Sequence, residues 1–273
     1  MLILIKIIVS VIIVLTLVYI SERNPKLGGI ITGLPLGTGI MISFYSYEHG
    51  IDFVLTSLPY GIAGMISTIA FGIGFYLGGK NKFTKNIYRV ILSLTTGLTF
   101  YLFTSYILSF IKINFILSIV IFLSGVFFAF VFYRKVSDSY NIVIKTNNFS
   151  NIFFRIILTS SIVLLITGSA GFIGTKWAGL IASFPTILCP LLIILAFLYN
   201  GRIYPVLLKH LSYAVSNILV FYLIVNFTFP VIGAVYGIIL AYFICILYLL
   251  ILNKLNIHKR KIAESSTNDK IIP

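Results

Sequence analysis

Long apolar runs separated by short polar stretches make up most of the chain. Nine runs have about the 20 residues that a helix needs to cross a bilayer. They are too long and too uniformly apolar to be strands of a membrane barrel. The pattern predicts an all-α polytopic membrane protein with about nine transmembrane helices, at 2–20, 27–46, 53–77, 87–111, 114–133, 152–173, 178–199, 204–227 and 229–252. A broken helix at 111–114 or 226–230, in place of a reversal, would change this count.

The composition agrees with a membrane location. Hydrophobic residues make up 59% of the chain, charged residues 10%, and the mean hydropathy is +1.10. A soluble domain has about a quarter of its residues charged. The net charge of +14 would suggest nucleic acid in a soluble protein, but here we interpret it as loop charge that sets orientation. We therefore expect no nucleic-acid partner.

The basic residues divide cleanly between the two sides that nine helices define. All Lys and Arg residues fall on one side except Lys6, Lys112 and Lys176, which fall on the other, and Lys209, which lies within a span. Cytoplasmic loops carry the excess of Lys and Arg. The split therefore predicts a multi-pass protein of the plasma or inner membrane, with its amino terminus outside and its carboxyl terminus in the cytoplasm.

The polar stretch between the fifth and sixth runs divides the chain. We expect a first membrane repeat of five helices at 1–135, a cytoplasmic linker at 136–151 and a second repeat of four helices at 152–253. Residues 254–273 are basic and then rich in polar residues, which favours a disordered cytoplasmic tail.

Two segments share a pattern that indicates an internal repeat. Lys26-Leu-Gly-Gly-Ile-Ile-Thr-Gly-Leu-Pro35 and Lys176-Trp-Ala-Gly-Leu-Ile-Ala-Ser-Phe-Pro185 have Lys, Gly, Ile and Pro at the same offsets. They begin the second and seventh predicted helices. Because these helices are an odd number apart, the copies would have opposite orientations, as in many secondary transporters.

The second of these segments also resembles a known family. Residues Trp177 to Thr186, together with Leu34-Pro35 and the turn Glu48-His49-Gly50-Ile51-Asp52, are similar to the GlpM-type family of small bacterial inner-membrane proteins. The resemblance covers roughly 27–70 and 177–250. It implies a polytopic protein of poorly defined activity, linked in one lineage to exopolysaccharide production. This chain differs in its two copies, its additional helix, and His49 where the family tends to have Arg.

The candidate binding residues surround the two prolines. A proline inside a helix leaves the carbonyl four residues earlier without its usual partner, which predicts free carbonyls at Ile31 and Ile181. The expected substrate-binding residues are Thr32, Gly33, Pro35, Thr38, Ser183, Pro185, Thr186, Lys209, His210 and Asn217. Two interpretations remain open: a polar site where the second and seventh helices cross, or two kinks capped by local hydroxyls.

Other chemistry has little support in the sequence. Cys189 and Cys245 lie in apolar runs without a metal-ligand neighbour, so we expect no metal and no cofactor. No acidic residue lies deep in a span, which argues against cation antiport, and no nucleophile-base group indicates an enzyme. Glu48, His49 and Asp52 would cluster at the outer ends of the second and third helices. They could gate or bind a solute there, or form a solvated turn. Gly29, Gly33 and Gly37, like Gly179 and Ser183, favour close helix packing.

Two functions remain open. The first is a small secondary transporter or flippase for a neutral or anionic polar solute or a lipid-linked precursor. The second is a non-transporting subunit that assists envelope polysaccharide or lipid synthesis. The expected partners are the lipid bilayer, an unknown small solute, and a second copy or another subunit of a membrane complex.

The topology can be tested with reporter fusions. Fusions at Lys112, Lys145 and Lys261 should report outside, cytoplasm and cytoplasm, because nine helices place these loops so. An outside signal at Lys145 would contradict both the helix count and the inverted repeat.

Overall fold

The computed structural model describes residues 2–23, 34–80, 86–134, 149–198 and 204–268. Every regular element in these ranges is a helix, which confirms the all-α prediction. The helices are α1 Leu2–Arg23, α2 Leu36–His49, α3 Ile51–Gly79, α4 Asn86–Ser109, α5 Phe115–Tyr133, α6 Phe149–Ala182, α7 Leu188–Leu198 and α8 Tyr204–Asn268. The last of these extends into the basic tail.

Five stretches of the described chain are helical, long and apolar enough to cross a membrane. They are Ile51–Gly79, Asn86–Ser109, Phe115–Tyr133, Ile152–Ala182 and Val215–Leu252. Large apolar side chains cover their outer surfaces, with Phe127 on α5 and Phe243 on α8 both more than half exposed. Such a surface suits lipid and would be unfavourable in water. The described helices are those of a membrane protein.

The central helix is α3. Within its most apolar stretch 78% of the residues are buried in the protein, against 17 to 33% for the other four long stretches. Small residues let α4 approach it closely: a Cβ on Gly74 would lie 2.7 Å from the carbonyl oxygen of Thr96. The Thr96 hydroxyl in turn donates to the Gly74 carbonyl at 2.8 Å. Close backbone approach of this kind is how helices associate in lipid.

Three single glycines connect consecutive helical segments. Gly50 separates α2 from α3 with φ 85° and ψ 170°, Gly174 interrupts α6 with φ 75° and ψ 169°, and Gly233 interrupts α8 with φ 78° and ψ 172°. This backbone region is essentially restricted to glycine. Since the residues on both sides are helical, these nearly identical angles produce the same change of direction at all three positions.

Contacts within α8 show that the change of direction is a reversal. The Cys245 thiol donates to the Asn217 carbonyl over 3.6 Å, and the Tyr248 hydroxyl donates to the Ser216 hydroxyl at 3.1 Å. The two arms of α8 are therefore antiparallel about Gly233. The chain turns back here, so the stretch around 226–230 is not one bent helix.

The three glycine turns lie at one end of the bundle, together with the α4–α5 turn at 110–114. A Cβ on Gly171 would lie 3.0 Å from His49, which places the turns at Gly174 and Gly50 side by side. The rings of Phe115 and Phe227 are 6.4 Å apart, and the Tyr60 hydroxyl donates to the Ile111 carbonyl at 3.3 Å. We call this end, with Gly50, Gly174, Gly233 and 110–114, the hairpin end.

The described basic residues are separated between the two ends. Lys6, Lys112 and Lys176 belong to the hairpin end, whereas Lys80, Arg89 and Arg134 belong to the opposite end, where α3 and α5 finish and α4 begins. This is the grouping on which the sequence-based topology depends. Asn114 begins α5 at the hairpin end, where its side chain accepts the Leu117 amide at 2.8 Å.

The backbone requirement at the hairpins can be tested on α6. Gly174→Ala should lower the free energy of unfolding by about 1–3 kcal/mol, because an L-residue is strained at this φ. Gly168→Ala is the matched control, since Gly168 is helical and a Cβ there meets nothing within 4 Å. Thermal unfolding in detergent should show the loss for Gly174→Ala alone. Equal stability of the two variants would contradict the assigned turn.

Candidate functional site

Both prolines identified in the sequence come shortly before the start of a helix, and the hydrogen-bond pattern around them is the same. We call these two positions the proline breaks. Around Pro35 the Leu36 amide donates to the Leu34 carbonyl at 2.8 Å, and the Gly39 amide donates to Pro35 at 2.7 Å. Around Pro185 the equivalent bonds are Thr186 to Phe184 and Cys189 to Pro185, each 2.8 Å. The angles at Pro35, φ −76° and ψ 51°, are near those of an inverse γ-turn. Each break thus begins a new helix, α2 or α7.

The two breaks meet inside the protein. A Cβ on Gly37 would overlap the Thr186 hydroxyl, so the start of α2 touches the residue that follows Pro185. Thr38 and Thr186 are both buried. From α8, the Tyr242 hydroxyl reaches the Pro35 carbonyl at 3.5 Å. The beginnings of α2 and α7 therefore lie against each other in a buried position.

Hydroxyl groups cap the carbonyl end of α6 just before Pro185. The Leu180 carbonyl accepts from the hydroxyls of Tyr101 at 2.7 Å and Ser183 at 2.6 Å. The Ser183 carbonyl accepts from the Thr68 hydroxyl. The carbonyl of Ile181, expected to be free, accepts the Phe184 amide at 2.9 Å. That expectation was wrong, because the chain tightens into an i to i+3 turn before the proline.

Tyrosines from three helices surround this end of α6. Tyr45 on α2 donates to the Ala178 carbonyl at 3.2 Å, and Tyr101 on α4 also lies 3.5 Å from the Ser183 hydroxyl. Tyr222 on α8 is fully buried, and its hydroxyl lies beside Thr38. The described lining is therefore polar and uncharged.

Small residues bring α6 and α3 together beside the breaks. A Cβ on Gly179 would overlap the Ser57 carbonyl, and one on Gly64 would lie 2.6 Å from the Ser183 hydroxyl. The four-residue spacing of Gly179 and Ser183 is therefore used for close packing, as the sequence predicts.

The structure brings five of the predicted site residues together: Pro35, Thr38, Ser183, Pro185 and Thr186. Asn217 is also buried, but its backbone carbonyl lies between the two arms of α8, at the Cys245 thiol. Lys209 and His210 lie in α8, and their side chains are outside the described part of the chain. Thr32 and Gly33 lie outside the described residues.

The acidic turn at the hairpin end contains an ion pair that the sequence did not predict. Lys6 Nζ lies 2.6 Å from Glu48 Oε1, with side-chain exposures of 6% and 15%. His49 stacks on Phe53 with ring centroids 4.6 Å apart, and Asp52 is exposed. Of the three residues expected at the outer mouth, Glu48 has a basic partner in the described structure.

Sequence reasoning missed the tyrosines and Thr68. The sequence does indicate that the tyrosines are buried, because Tyr45, Tyr101, Tyr222 and Tyr242 all lie within apolar runs. A tyrosine hydroxyl that is buried usually finds a partner. Which carbonyl each one reaches depends on how separate helices pack, and that cannot be read from spacing along one helix.

The five long apolar helical stretches are typical of a polytopic α-helical membrane protein. No family model, curated protein or solved structure matches the chain.

The role of Tyr101 can be tested by removing its hydroxyl. Tyr101→Phe should destabilise the protein by about 1 kcal/mol, because the Leu180 carbonyl loses an interhelical donor. Tyr106→Phe on the same helix is the control, since Tyr106 is exposed and should tolerate the change. Unfolding in a detergent titration measures both variants. A loss shared by Tyr106→Phe would show that the effect is not due to the cap.

Proposed function

We propose that the chain crosses the plasma or inner membrane nine times, with the hairpin end outside. Three observations support this count. The turns at Gly174 and Gly233 divide two of the five long apolar stretches. The three glycine turns and the 110–114 turn share one end. The described lysines and arginines near the other end suit a cytoplasmic face.

The two proline breaks support an inverted 5+4 repeat. Equivalent hydrogen bonds occur at residues 34–39 and 184–189, in register with the shared Lys, Gly, Ile and Pro positions. Under nine crossings α2 and α7 run in opposite directions, so their beginnings would approach each other from opposite leaflets. This is the arrangement by which inverted repeats build a substrate site near the bilayer centre.

The protein acts, in this proposal, as a small secondary transporter or flippase. The observation that carries the proposal is the contact between the start of α2 and the break that separates α6 from α7, among buried hydroxyls. Broken helices are tolerated at membrane depth where they form a site or are capped by protein. Helix beginnings carry partial positive charge, and the described lining contains no carboxylate. The site therefore suits a neutral or anionic polar solute, or the head group of a lipid-linked precursor.

A second candidate is a subunit that does not transport but assists envelope polysaccharide or lipid synthesis. The capping of the Leu180 and Ser183 carbonyls by Tyr101 and Thr68 favours it, because a structural break needs its polar groups satisfied in the same way. The resemblance to the GlpM-type family points in the same direction. A structural break predicts that the prolines matter for packing alone.

Solute flux into proteoliposomes separates the two functions. Anionic sugars, amino acids and isoprenoid phosphates form a suitable panel. A solute that enters liposomes containing the protein faster than it enters protein-free control liposomes identifies a transporter. Pro35→Ala and Pro185→Ala should then reduce its flux by about tenfold or more, because a continuous helix closes the break while insertion is unaffected.

Pro230→Ala provides the matched control for flux. Pro230 lies inside α8 and is exposed, so its replacement should leave transport unchanged. Normal flux in both Pro35→Ala and Pro185→Ala, or no flux of any solute in the wild type, would favour the assisting subunit.

A further inference from the structure

A buried ion pair joins the first two helices at the hairpin end. Lys6 on α1 lies 2.6 Å from Glu48 on α2, and both side chains are largely shielded from solvent. The ammonium also lies 5.4 Å from the ring centre of Phe44, one turn before Glu48. Phe44 itself is buried. An apolar side chain thus covers the pair from the side that faces the middle of the bundle.

Such a pair contributes little net stability, but its two charges must be either buried together or exposed together. Removing two charges from water offsets most of their mutual attraction, whereas leaving one of them buried alone is strongly unfavourable. Lys6 and Glu48 lie near helix ends, where both can reach water if the helices separate. The pair can therefore adopt two states. In one the two charges are in contact and shielded from water, and in the other they are apart and hydrated.

The pair also suits the helix ends that it joins. Glu48 is in the last turn of α2, and Lys6 is near the beginning of α1. Each charge is unfavourable at its own helix end but favourable at the end of its neighbour. Contact between α1 and α2 is thus what makes both positions tolerable.

Helix α2 connects this pair to the proline breaks. It has 14 residues and therefore spans about 21 Å as a rigid rod. Pro35 and Gly37 lie at one end, against Thr186, while Glu48 and the Gly50 turn lie at the other. A tilt of α2 away from α1 would move both ends together.

We propose that the Lys6–Glu48 pair is a gate, closed in this structure, between the hairpin end and the site at the two prolines. The gate rests on the proposed transport function, for which it supplies one of the two barriers of alternating access. When the pair separates, α2 tilts and the contact between Gly37 and Thr186 opens to water from the hairpin end. His49 stacks on Phe53 and touches Gly171, so α6 supports the same closed arrangement.

Thiol labelling measures this opening without requiring a known substrate. In a background with Cys189 and Cys245 replaced by alanine, Thr38→Cys places one buried thiol beside the breaks. The probe is a membrane-impermeant maleimide. Tyr47→Cys serves as the reference, since Tyr47 is 75% exposed at the hairpin end. Vesicles are used in whichever orientation allows this reference thiol to react.

The test compares four changes to the charges. Lys6→Met alone leaves the Glu48 carboxylate buried without its partner, whereas Lys6→Met with Glu48→Gln removes both charges and leaves neither one buried alone. Lys6→Glu with Glu48→Lys reverses the pair and restores the attraction. Lys112→Met removes an exposed charge from the same end and is the matched control. Size-exclusion elution verifies that each variant is folded.

Lys6→Met alone should raise the labelling rate of the thiol introduced by Thr38→Cys by about tenfold, which corresponds to roughly 1.4 kcal/mol, because a Glu48 carboxylate without its partner favours the separated, hydrated state. The neutral double variant, the reversed pair and Lys112→Met should remain within about twofold of the starting protein. An unchanged rate in Lys6→Met, or a neutral double variant that labels as fast as Lys6→Met, would overturn the gate.

Flux measurements with Thr38 intact separate the gate from the transport function. If labelling responds as expected but no solute moves in any variant, the gate is supported and the transporter proposal fails. If the wild type moves solute and labelling is unaffected, transport is supported and the gate is overturned.

Discussion

A backbone amide or carbonyl inside a bilayer must find its partner within the protein, because the lipid offers none. Pro35 and Pro185 make this requirement acute, since Pro35 stands at the start of α2 and Pro185 lies between the end of α6 and the start of α7. The carbonyl end of α6 meets the requirement with hydroxyls from α3 and α4 and with its own Ser183. Those bonds fix which helices lie beside the break. The arrangement of the bundle around α3 follows from this need.

Glycines let the helices approach one another closely at the centre of the bundle. Gly61, Gly64 and Gly179 have no side chain at the crossing of α3 with its neighbours, so tyrosine rings and backbones occupy that space. A Cβ on Gly61 would lie 2.6 Å from the Tyr222 hydroxyl. Glycine here serves contact between helices, whereas at Gly50, Gly174 and Gly233 it serves the backbone angle alone.

Several features were predictable because they depend on local sequence. Apolar run length predicted helices, and the helical break at Pro185 was predicted from the proline. The hydrogen bonds at Leu36 and Thr186 are the same around both prolines. The turn at Gly174 falls beside the predicted end of a run at 173, whereas the turn predicted at 226–230 was misplaced, because the chain stays helical there and reverses at Gly233. The partners were not predictable. Tyr101 reaches Leu180 and Lys6 reaches Glu48 across different helices, and which faces meet is decided by packing.

The three glycine turns have a consequence for how the chain is made. A connection of one residue is too short to let the two helices that it joins move independently. Neither helix can insert fully into the bilayer while its neighbour is still in the translocation channel. Where both arms cross the bilayer, as in the nine-helix topology that we propose, the segments on either side of Gly50, Gly174 and Gly233 therefore enter the membrane as pairs. A polar substitution in one arm would then impair the insertion of both.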